Sequence, residues 1–188
     1  ALLRGQRLER LRIASPFLLR TVDPPATAFE GRTLLDGHRL GKRLVLDFGD
    51  AHFMVLHLMV AGRLRWRDHG KAIPKKRGLA AFDFPGATIL WTEEGSKKRA
   101  SLHLVRGEEG LEAFDRGGAE VQDIDAATFR QILRSERHTL KRGLTDPRLF
   151  SGIGGAFSDE MMHAAGLSPV GMTTSLDDAA CDRLFDAA

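Results

Sequence analysis

The feature that most constrains this sequence is a glycine-rich turn between two predicted helices, within residues 139–169 (TLKRGLTDPRLFSGIGGAFSDEMMHAAGLSP). Pro147 has no amide proton and disfavours helical geometry in the residue before it, so the first helix should end near residue 144. The glycines within residues 152–155 allow a sharp turn, and Ser158 is expected to cap a second helix that Gly166 ends. A turn that leads into a helix N-terminus presents free amide protons to an anion, most simply a phosphate.

The composition is that of a globular protein with an uneven charge distribution. The 188 residues are 43% hydrophobic, which suffices for a substantial core in one large or two small domains. Residues 63–106 contain eleven Lys or Arg and four Asp or Glu, a local net charge of +7. Residues 158–188 contain one Lys or Arg and six Asp or Glu. A basic sector beside an acidic tail favours a polyanionic partner on one face, with a merely solvated surface as the alternative.

The single cysteine, Cys181, excludes an internal disulfide framework and a cysteine-rich zinc site within these residues. A reducing, cytoplasmic compartment fits this count. No apolar run approaches the roughly 20 residues that span a bilayer, and no signal peptide opens the sequence. The start at Ala1, without Met, and the stop just after Asp186 lead us to expect a fragment of a longer protein.

Alternating apolar and polar residues between turn signals predict a series of short strands in the first part of the chain. They lie at residues 8–13, 17–22, 33–39, 44–48, 53–60, 63–68, 79–84, 88–92 and 101–105. Many short strands at regular spacing indicate an antiparallel sandwich or barrel over residues 1–118, preceded by the end of an incomplete helix.

Helical periodicity replaces strand periodicity after the glycines at 117 and 118. Asp125 should cap a helix at 126–134, and further helices are expected at 139–144, at 156–165 and from Leu176 onward. Ser175 and Asp178 would start the last of these as a capping box. Residues 119–188 thus form a predicted helical domain that is incomplete at its C-terminus. The predicted fold class is α+β, a β domain followed by a helical domain.

Several familiar motifs can be excluded. Residues 152–154 lack the third glycine of a dinucleotide fingerprint, and residues 37–42 miss the spacing of a phosphate loop. The seven histidines show no HExxH spacing, so no metal site is predicted within the chain. What remains is a set of basic residues at bends, which together would outline a groove between the two halves. They are Lys42, His57, the runs at 75–77 and 97–99, which include Lys76, Lys97, Lys98 and Arg99, and the stretch 137–142, which includes Arg137 and Lys141. Each alone is more often a solvated charge, and His57 alone is more often a core histidine.

Three stretches carry a resemblance to a known family. The residues LGKR at 40–43, LHLMVAG at 56–62 and the glycine turn with its flanking helices at 140–160 resemble motifs of the formamidopyrimidine-DNA glycosylase and endonuclease VIII family. The resemblance implies an antiparallel β-sandwich followed by a helix-two-turns-helix domain, in a monomer that binds double-stranded DNA with a damaged base or an abasic site. It also implies base-excision repair in a bacterial-type cytoplasm, in association with the nucleoid.

The resemblance also implies a mechanism. In this family an N-terminal proline amine attacks the sugar carbon of a flipped-out lesion nucleotide, and the resulting imine permits strand cleavage. We expect this proline and its neighbouring glutamate before Ala1, so that residues 1–188 alone are inactive. Lys42 matches the family's catalytic lysine near the lesion phosphate. No cofactor is expected within the chain, and zinc is expected in a finger beyond Ala188.

Further site residues follow from the basic bends and from the resemblance. Met59, Val60 and Arg99 are the candidates for a wedge that enters the duplex. The expected DNA contacts are His57, Lys76, Lys97, Lys98, Arg99, Arg137, Lys141, Gly154 and Gly155. Two positions depart from the family pattern, because Gly155 stands where an asparagine is expected and Val60 stands where a methionine is expected.

The function predicted from these residues is that of a DNA glycosylase with AP lyase activity. One alternative is a non-catalytic member of the same fold that recognises abasic or distorted DNA. A further alternative is a nucleic-acid-binding domain, unrelated to repair, that reuses the two-turn helix pair.

Overall fold

The computed structural model describes residues 2–95 and 97–188. Contacts between Cα atoms divide the chain into two compact units. The β unit comprises Ala1–Arg39 and Arg43–Phe114, and the helical unit comprises Leu40–Lys42 and Asp115–Ala188. The three residues at 40–42, at the tip of a β-hairpin, thus group with the helical unit, which no pattern in the sequence indicates.

The β unit is built from eight strands and one short helix. They are β1 (Arg10–Ile13), β2 (Asp36–Leu40), β3 (Arg43–Asp47), β4 (His52–His57), β5 (Gly62–Asp68), β6 (Gly78–Phe84), β7 (Ala87–Glu93), β8 (Ser101–Arg106) and α1 (Glu108–Glu112). Two four-stranded sheets result, with the orders β1-β6-β7-β5 and β2-β3-β4-β8. The pairs β1–β6, β6–β7, β5–β7, β3–β4 and β4–β8 are antiparallel.

One hydrophobic core joins the two sheets. Phe82 and Trp91 come from the first sheet, and Met54, Leu56 and Leu102 from the second, and all five side chains are at most 2% exposed. Because side chains alternate across a strand, each sheet turns one apolar row toward this core and the other row away from it. The predicted antiparallel β-sandwich is confirmed.

Two strand predictions need correction. Residues 17–22 form no strand of their own, because only Leu19 makes an isolated bridge, to Leu102, while Phe17 and Val22 stay 75% and 95% exposed. The predicted strand 53–60 ends at His57, because Met59 takes a left-handed backbone with φ of 55° that starts the turn into β5. An apolar run can therefore contain a turn, since hydrophobicity alone does not report backbone direction.

The helical unit contains four helices and a small parallel pair of strands. The helices are α2 (Ala126–Arg134), α3 (Leu140–Thr145), α4 (Gly155–Ala165) and α5 (Asp178–Asp186), and the strands are β9 (Ala119–Glu120) and β10 (Phe150–Ser151). Asp125 caps α2 as predicted, since its side chain accepts a hydrogen bond from Thr128 N. Gly166 ends α4 with a left-handed backbone, φ 67°. The apolar faces of all four helices meet in one core.

Two predicted helix caps are wrong. Ser158 lies inside α4 and is buried, and its hydroxyl donates to Gly155 O, because the helix already begins at Gly155. Helix α5 is capped by Asp177, whose carboxylate accepts from Ala180 N, and Ser175 belongs to a short 3-10 turn instead. In both places several cap-forming residues stand close together in sequence, and packing selects among them.

Among residues 2–95 and 97–188, no helix has the length and apolar character that crossing a bilayer requires.

Candidate nucleic-acid interface

The glycine turn of the helical unit is held in place on both sides. Strand β10 pairs with β9 in parallel, and Ile153, only 2% exposed, inserts into the core of the unit. Gly152 has φ of 80°, so it needs glycine's conformational freedom. Gly154 does not, because its backbone is extended, with φ of −106° and ψ of 178°. The turn is therefore anchored by a buried side chain, and one of its residues requires glycine.

The N-terminus of α4 projects from this turn without a side-chain cap. Gly154 is the N-cap residue and makes no side-chain hydrogen bond, and the first intrahelical bond runs from Ser158 N to Gly154 O. The amides of Gly155, Ala156 and Phe157 therefore have no partner within the helix, and all three residues are exposed. Together with the helix dipole, these amides favour an anion at this end of α4.

Lys42 stands at the same turn. Its Nζ donates a hydrogen bond of 3.1 Å to Ile153 O, and its aliphatic chain runs past Gly154, where a Cβ would lie 3.7 Å from Lys42 Cδ. An ammonium has three N–H donors, so two remain for a ligand. The structure thus places an exposed cation beside the uncapped helix end, and this pair of groups suits a phosphate.

Lys141, another predicted DNA contact, is already engaged within the helical unit. Its Nζ lies 2.6 Å from Gly155 O and 2.5 Å from Asp159 Oδ1, so it ties α3 to the first turns of α4. Only one of its donors remains free. Arg137, which precedes α3, is exposed and has no hydrogen-bond or ionic partner among the described residues. Arg137 is therefore better placed than Lys141 to give its full charge to a ligand.

A polar network supports the loop between α3 and β10. Asp146 accepts hydrogen bonds from the backbone amide of Arg148 at 2.9 Å and from its guanidinium at 2.6 Å. The side-chain bond to Arg148 is the main reason that the pKa of Asp146 falls to about 2. The same guanidinium lies 3.5 Å from Glu136, whose carboxylate lies 2.7 Å from His138 Nε2.

The side chains of this network are the one set in the described part of the chain that could hold a metal. Donor atoms of Glu136, His138 and Asp146 lie within 4.8 Å of one another. Arg148 already neutralises both carboxylates, so we assign no metal here. Cys181 is fully buried, and burial raises the pKa of its thiol, so it does not fit the thiolate that zinc requires.

In the β unit, the end of β4 and the turn into β5 carry three of the predicted residues: His57, Met59 and Val60. Met59 N donates to His57 Nδ1 at 3.1 Å, which closes the turn beside the end of β4. The guanidinium of Arg63 donates to Val60 O and Gly62 O at 3.0 and 2.7 Å and braces the turn from the other side. Met59 and Val60 are 40% and 89% exposed. Two apolar side chains thus stand on a braced turn that projects into solvent.

The loop between β7 and β8 carries Lys97, Lys98 and Arg99, and a buried carboxylate shapes it. Glu93 is 2% exposed, and its carboxylate accepts from Arg99 N at 3.0 Å and from Ala100 N at 3.3 Å. Lys98 turns inward and donates to Glu93 O and, at 2.9 Å, to Gly95 O. Lys97 and Arg99 remain exposed. Two of the three predicted cations therefore face solvent, while Lys98 holds the loop together.

The loop and the turn lie at the same end of the β unit. His57 pairs with Ser101 across β4 and β8, and Glu94 N donates to Ala61 O at 3.3 Å. Lys76 is exposed and sits just before Arg77, whose carbonyl accepts from Glu93 N at 2.9 Å. The structure thus gathers most of the candidates in the β unit at one end of the sandwich. The sequence analysis did not select Glu93. A carboxylate at the end of an apolar strand is the signal that could have indicated it.

Comparison with known proteins identifies the family. A family model described as Formamidopyrimidine-DNA glycosylase N-terminal domain matches residues 1–101. Formamidopyrimidine-DNA glycosylase of Moorella thermoacetica is 28% identical, in an alignment that covers 98% of this chain and 69% of the relative. The protein of the same name from Heliobacterium modesticaldum is 30% identical, over 96% of this chain and 65% of the relative. The chain thus spans about two thirds of the length of these relatives.

Solved structures agree in fold. A complex of Lactococcus lactis FPG (MutM) with FAPY-dG containing DNA matches with a TM-score of 0.86 and 23% identity, over 98% of this chain and 71% of that protein. A complex of Lactococcus lactis Fpg with abasic site containing DNA matches with a TM-score of 0.85 and the same identity, over 98% and 70%. Because the family model covers residues 1–101, more than half of the 188, the chain belongs to the formamidopyrimidine-DNA glycosylase family.

Proposed function

We propose that the protein is a DNA glycosylase with AP lyase activity in base-excision repair, which binds damaged duplex DNA and excises a flipped-out base. The observation that carries the proposal is the hydrogen bond of 3.1 Å that Lys42 Nζ donates to Ile153 O in the glycine turn. This bond lies next to the uncapped amides at the start of α4. Membership of the family supports the same reaction class. The substrates named for the Lactococcus lactis complexes, FAPY-dG and abasic-site DNA, are consistent with it.

The helical unit would supply the grip on the DNA backbone. Exposed amides at the start of α4 donate to phosphate oxygens, and Lys42 adds a charge-assisted bond to the same phosphate or to its neighbour. Arg137 would contact a further phosphate. Such contacts position a duplex without reading its sequence, so specificity for the lesion arises elsewhere.

The β unit would supply the groups that replace the extruded nucleotide. Met59 and Val60 offer apolar surface on a braced turn, and Arg99 offers a planar guanidinium that can hydrogen-bond the unpaired opposite base. Inserting side chains into the duplex compensates for the stacking that is lost when the damaged nucleotide leaves the helix. We propose that His57, Lys76 and Lys97 contact the adjacent backbone.

The chemistry is that of a secondary amine acting on a sugar. The amine nitrogen bonds to C1′ as the bond from C1′ to the base breaks, and the base leaves with a proton. The sugar ring opens to a cationic imine, which acidifies the proton on C2′. Loss of that proton expels the 3′ phosphate and cuts the strand. Lys42 would stabilise the phosphate charge next to the reacting sugar.

The amine in this proposal is the N-terminal proline implied by the family resemblance, which is not among residues 1–188. The test therefore uses the product of the complete reading frame. That product is mixed with a duplex containing an abasic site or FAPY-dG, and borohydride is added to reduce the imine to a stable adduct. We expect a covalent protein–DNA complex and strand cleavage. Tight binding to abasic DNA without an adduct would instead favour a non-catalytic member that recognises abasic or distorted DNA.

Three further parts of the proposal concern the complete protein. We propose that it acts as a monomer, in the cytoplasm beside the nucleoid. We also propose that a zinc finger after Ala188 completes the DNA-binding surface. Size-exclusion chromatography with light scattering and metal analysis of the purified product test the first and the last of these.

A further inference from the structure

We infer that the β unit carries a second oxyanion site, for one phosphate group, on the face of the sheet β1-β6-β7-β5 that points away from the core. This site is separate from the glycine turn, and the inference does not depend on the proposed glycosylase activity. It concerns a cleft of about 150 Å³ that four cationic side chains line: Arg65, Arg67, Lys71 and Arg77.

Strand alternation places the cleft on the outer face. Leu64 packs against the hydrophobic core, so Arg65 and Arg67 project to the opposite side of β5. Arg65 pairs with Leu90 in the neighbouring strand, which puts Leu90 on the floor of the cleft. Leu90 is only 4% exposed, although it lies outside the core of the sandwich. The loop at 69–77 therefore covers this face and leaves a cleft beside β5.

Several hydrogen bonds hold this loop against the sheet. Gly70 N donates to Thr88 Oγ1 at 3.0 Å, the guanidinium of Arg12 donates to Lys71 O at 2.8 Å, and Gly78 N donates to Pro74 O at 2.8 Å. These bonds secure both ends of the segment that forms the wall of the cleft. The cleft is thus preformed, and a ligand would not have to order it.

The charge of the cleft is unbalanced. Arg77 is paired with Glu94, with N–O distances of 3.0 and 3.1 Å, and Glu94 is the only acidic residue among those that line the cleft. The side chains of Arg65 and Lys71 have no partner anywhere in residues 2–95 and 97–188. Counting four cations and one carboxylate leaves a local charge of +3. A bound anion would relieve this repulsion at a site that the protein itself leaves uncompensated.

A buried hydroxyl lies beside the same cleft. Thr92 lines the cleft and is 5% exposed, and its Oγ1 has no hydrogen-bond partner in the described part of the chain. This oxygen is itself shielded from solvent, so the case for an oxyanion rests on the cations of the cleft. An oxyanion supplies several acceptor oxygens at once, and guanidinium groups match phosphate geometry well.

The volume of the cleft limits the bound group to the size of a single phosphate. Pockets for drug-sized ligands have volumes of about 300–1,000 Å³, and this cleft, at about 150 Å³, falls below that range. The phosphate could belong to a free inorganic ion or to a phosphodiester of a nucleic-acid strand that passes over the sheet. The chemistry of recognition is the same for both sources.

The test follows backbone amide resonances of Arg65, Arg77 and Thr92 in the ¹⁵N-labelled protein during titration with inorganic phosphate at constant ionic strength. We expect saturable shifts at these three amides. The double variant Arg65→Gln/Lys71→Gln should weaken the apparent affinity about tenfold or more, because it removes the two unpaired cations. The control Arg10→Gln/Lys75→Gln removes one Arg and one Lys that do not line the cleft, and its affinity should stay within about twofold of the parent.

Linear, non-saturating shifts, or equal losses in the two double variants, would overturn the inference. In a second titration, an undamaged duplex replaces inorganic phosphate. Shifts at the same three amides that the cleft variant abolishes would identify a phosphodiester as the source. Shifts with inorganic phosphate alone would support the site with a free phosphate as its ligand. A chain that cleaves lesion DNA but shows no saturable shifts would refute this site and leave the proposed function intact.

Discussion

The ammonium of Lys42 donates a 3.1 Å hydrogen bond to the carbonyl oxygen of Ile153, a residue 111 positions later in the chain. Ile153 is buried, so this carbonyl is held by the core of the helical unit. The position of the Lys42 ammonium is therefore set by packing, whereas most surface lysines sample many rotamers. A charge fixed in this way can act on one phosphate.

Replacing Lys42 with Ala should reduce lesion processing far more than DNA binding. A single positioned charge contributes about 10²–10³ in turnover, whereas many phosphate contacts share the binding free energy. Turnover and the Kd for undamaged duplex are measured in parallel, with Arg10→Ala as a control that removes an exposed cation from β1. Equal losses in turnover and binding would contradict a role for Lys42 in the reaction.

Replacing Gly155 with Asn should tighten binding to DNA by about 1 kcal/mol, because the amide side chain can donate to a phosphate at the start of α4. The fold accommodates this change. Apart from the chain neighbours and the backbone of α4, the nearest heavy atom to a Cβ at this position would be Lys141 Nζ, at 4.0 Å. Gly155→Ala is the control, because it adds the Cβ and the helix propensity without the donor. If Ala and Asn tighten binding equally at moderate salt, no new phosphate contact has formed.

Arg137 and Lys141 should differ in their effect on DNA binding. A plot of the logarithm of the DNA-binding constant against the logarithm of the salt concentration has a negative slope. Arg137→Ala should reduce the magnitude of this slope by about 0.9, the value for one phosphate contact. Lys141→Met should lower it less, because the Lys141 ammonium is paired with Asp159 and Gly155 O in the free protein. Salt titrations of both variants and the parent measure the slopes. An equal or larger change for Lys141 would show that its ion pair opens on binding.

Asp146 should make the helical unit sensitive to acid. Its pKa lies near 2 in the folded protein, below the ordinary value of 3.8, chiefly because Arg148 donates to its carboxylate. Its stabilising effect is therefore fully present above about pH 4 and is lost as the pH falls toward 2. Urea unfolding of the parent and of Asp146→Asn should show a difference in stability at pH 6 that closes over this window. A difference that stays constant down to pH 2 would mean that the carboxylate charge is not involved.

Glu93 should be needed for the loop that carries Arg99. Glu93→Ala removes the acceptor for Arg99 N and Ala100 N, and leaving the buried amide of Ala100 unsatisfied costs about 1–3 kcal/mol. Thermal unfolding measures this loss, and amide hydrogen exchange at Arg99 and Ala100 locates it. Glu94→Ala is the matched control, because Glu94 is exposed and its carboxylate pairs with Arg77. Unchanged exchange in Glu93→Ala would exclude this anchoring role.

Strand and helix positions were largely predictable, because they follow from local periodicity and from capping chemistry. The alternation at 63–68 gives β5, and Asp125 and Gly166 bound α2 and α4 as their chemistry requires. The predictions failed where local signals compete. At residue 158 a serine suited to capping is buried within the helix, since the preceding glycine turn already starts α4.

The sequence predicts a set of candidate site residues, but it does not predict how each of them is engaged in the fold. Lys98 and Lys141 have the same side chain as Lys42, yet Lys98 braces its own loop and Lys141 pairs with Asp159. No sequence pattern separates these cases, because the partner of each ammonium is set by backbone atoms brought near it only by folding. The sequence by itself determined the β-sandwich, the helix pair and the glycine turn. Tertiary packing decided which cations are held within the protein and which stay available to an anion.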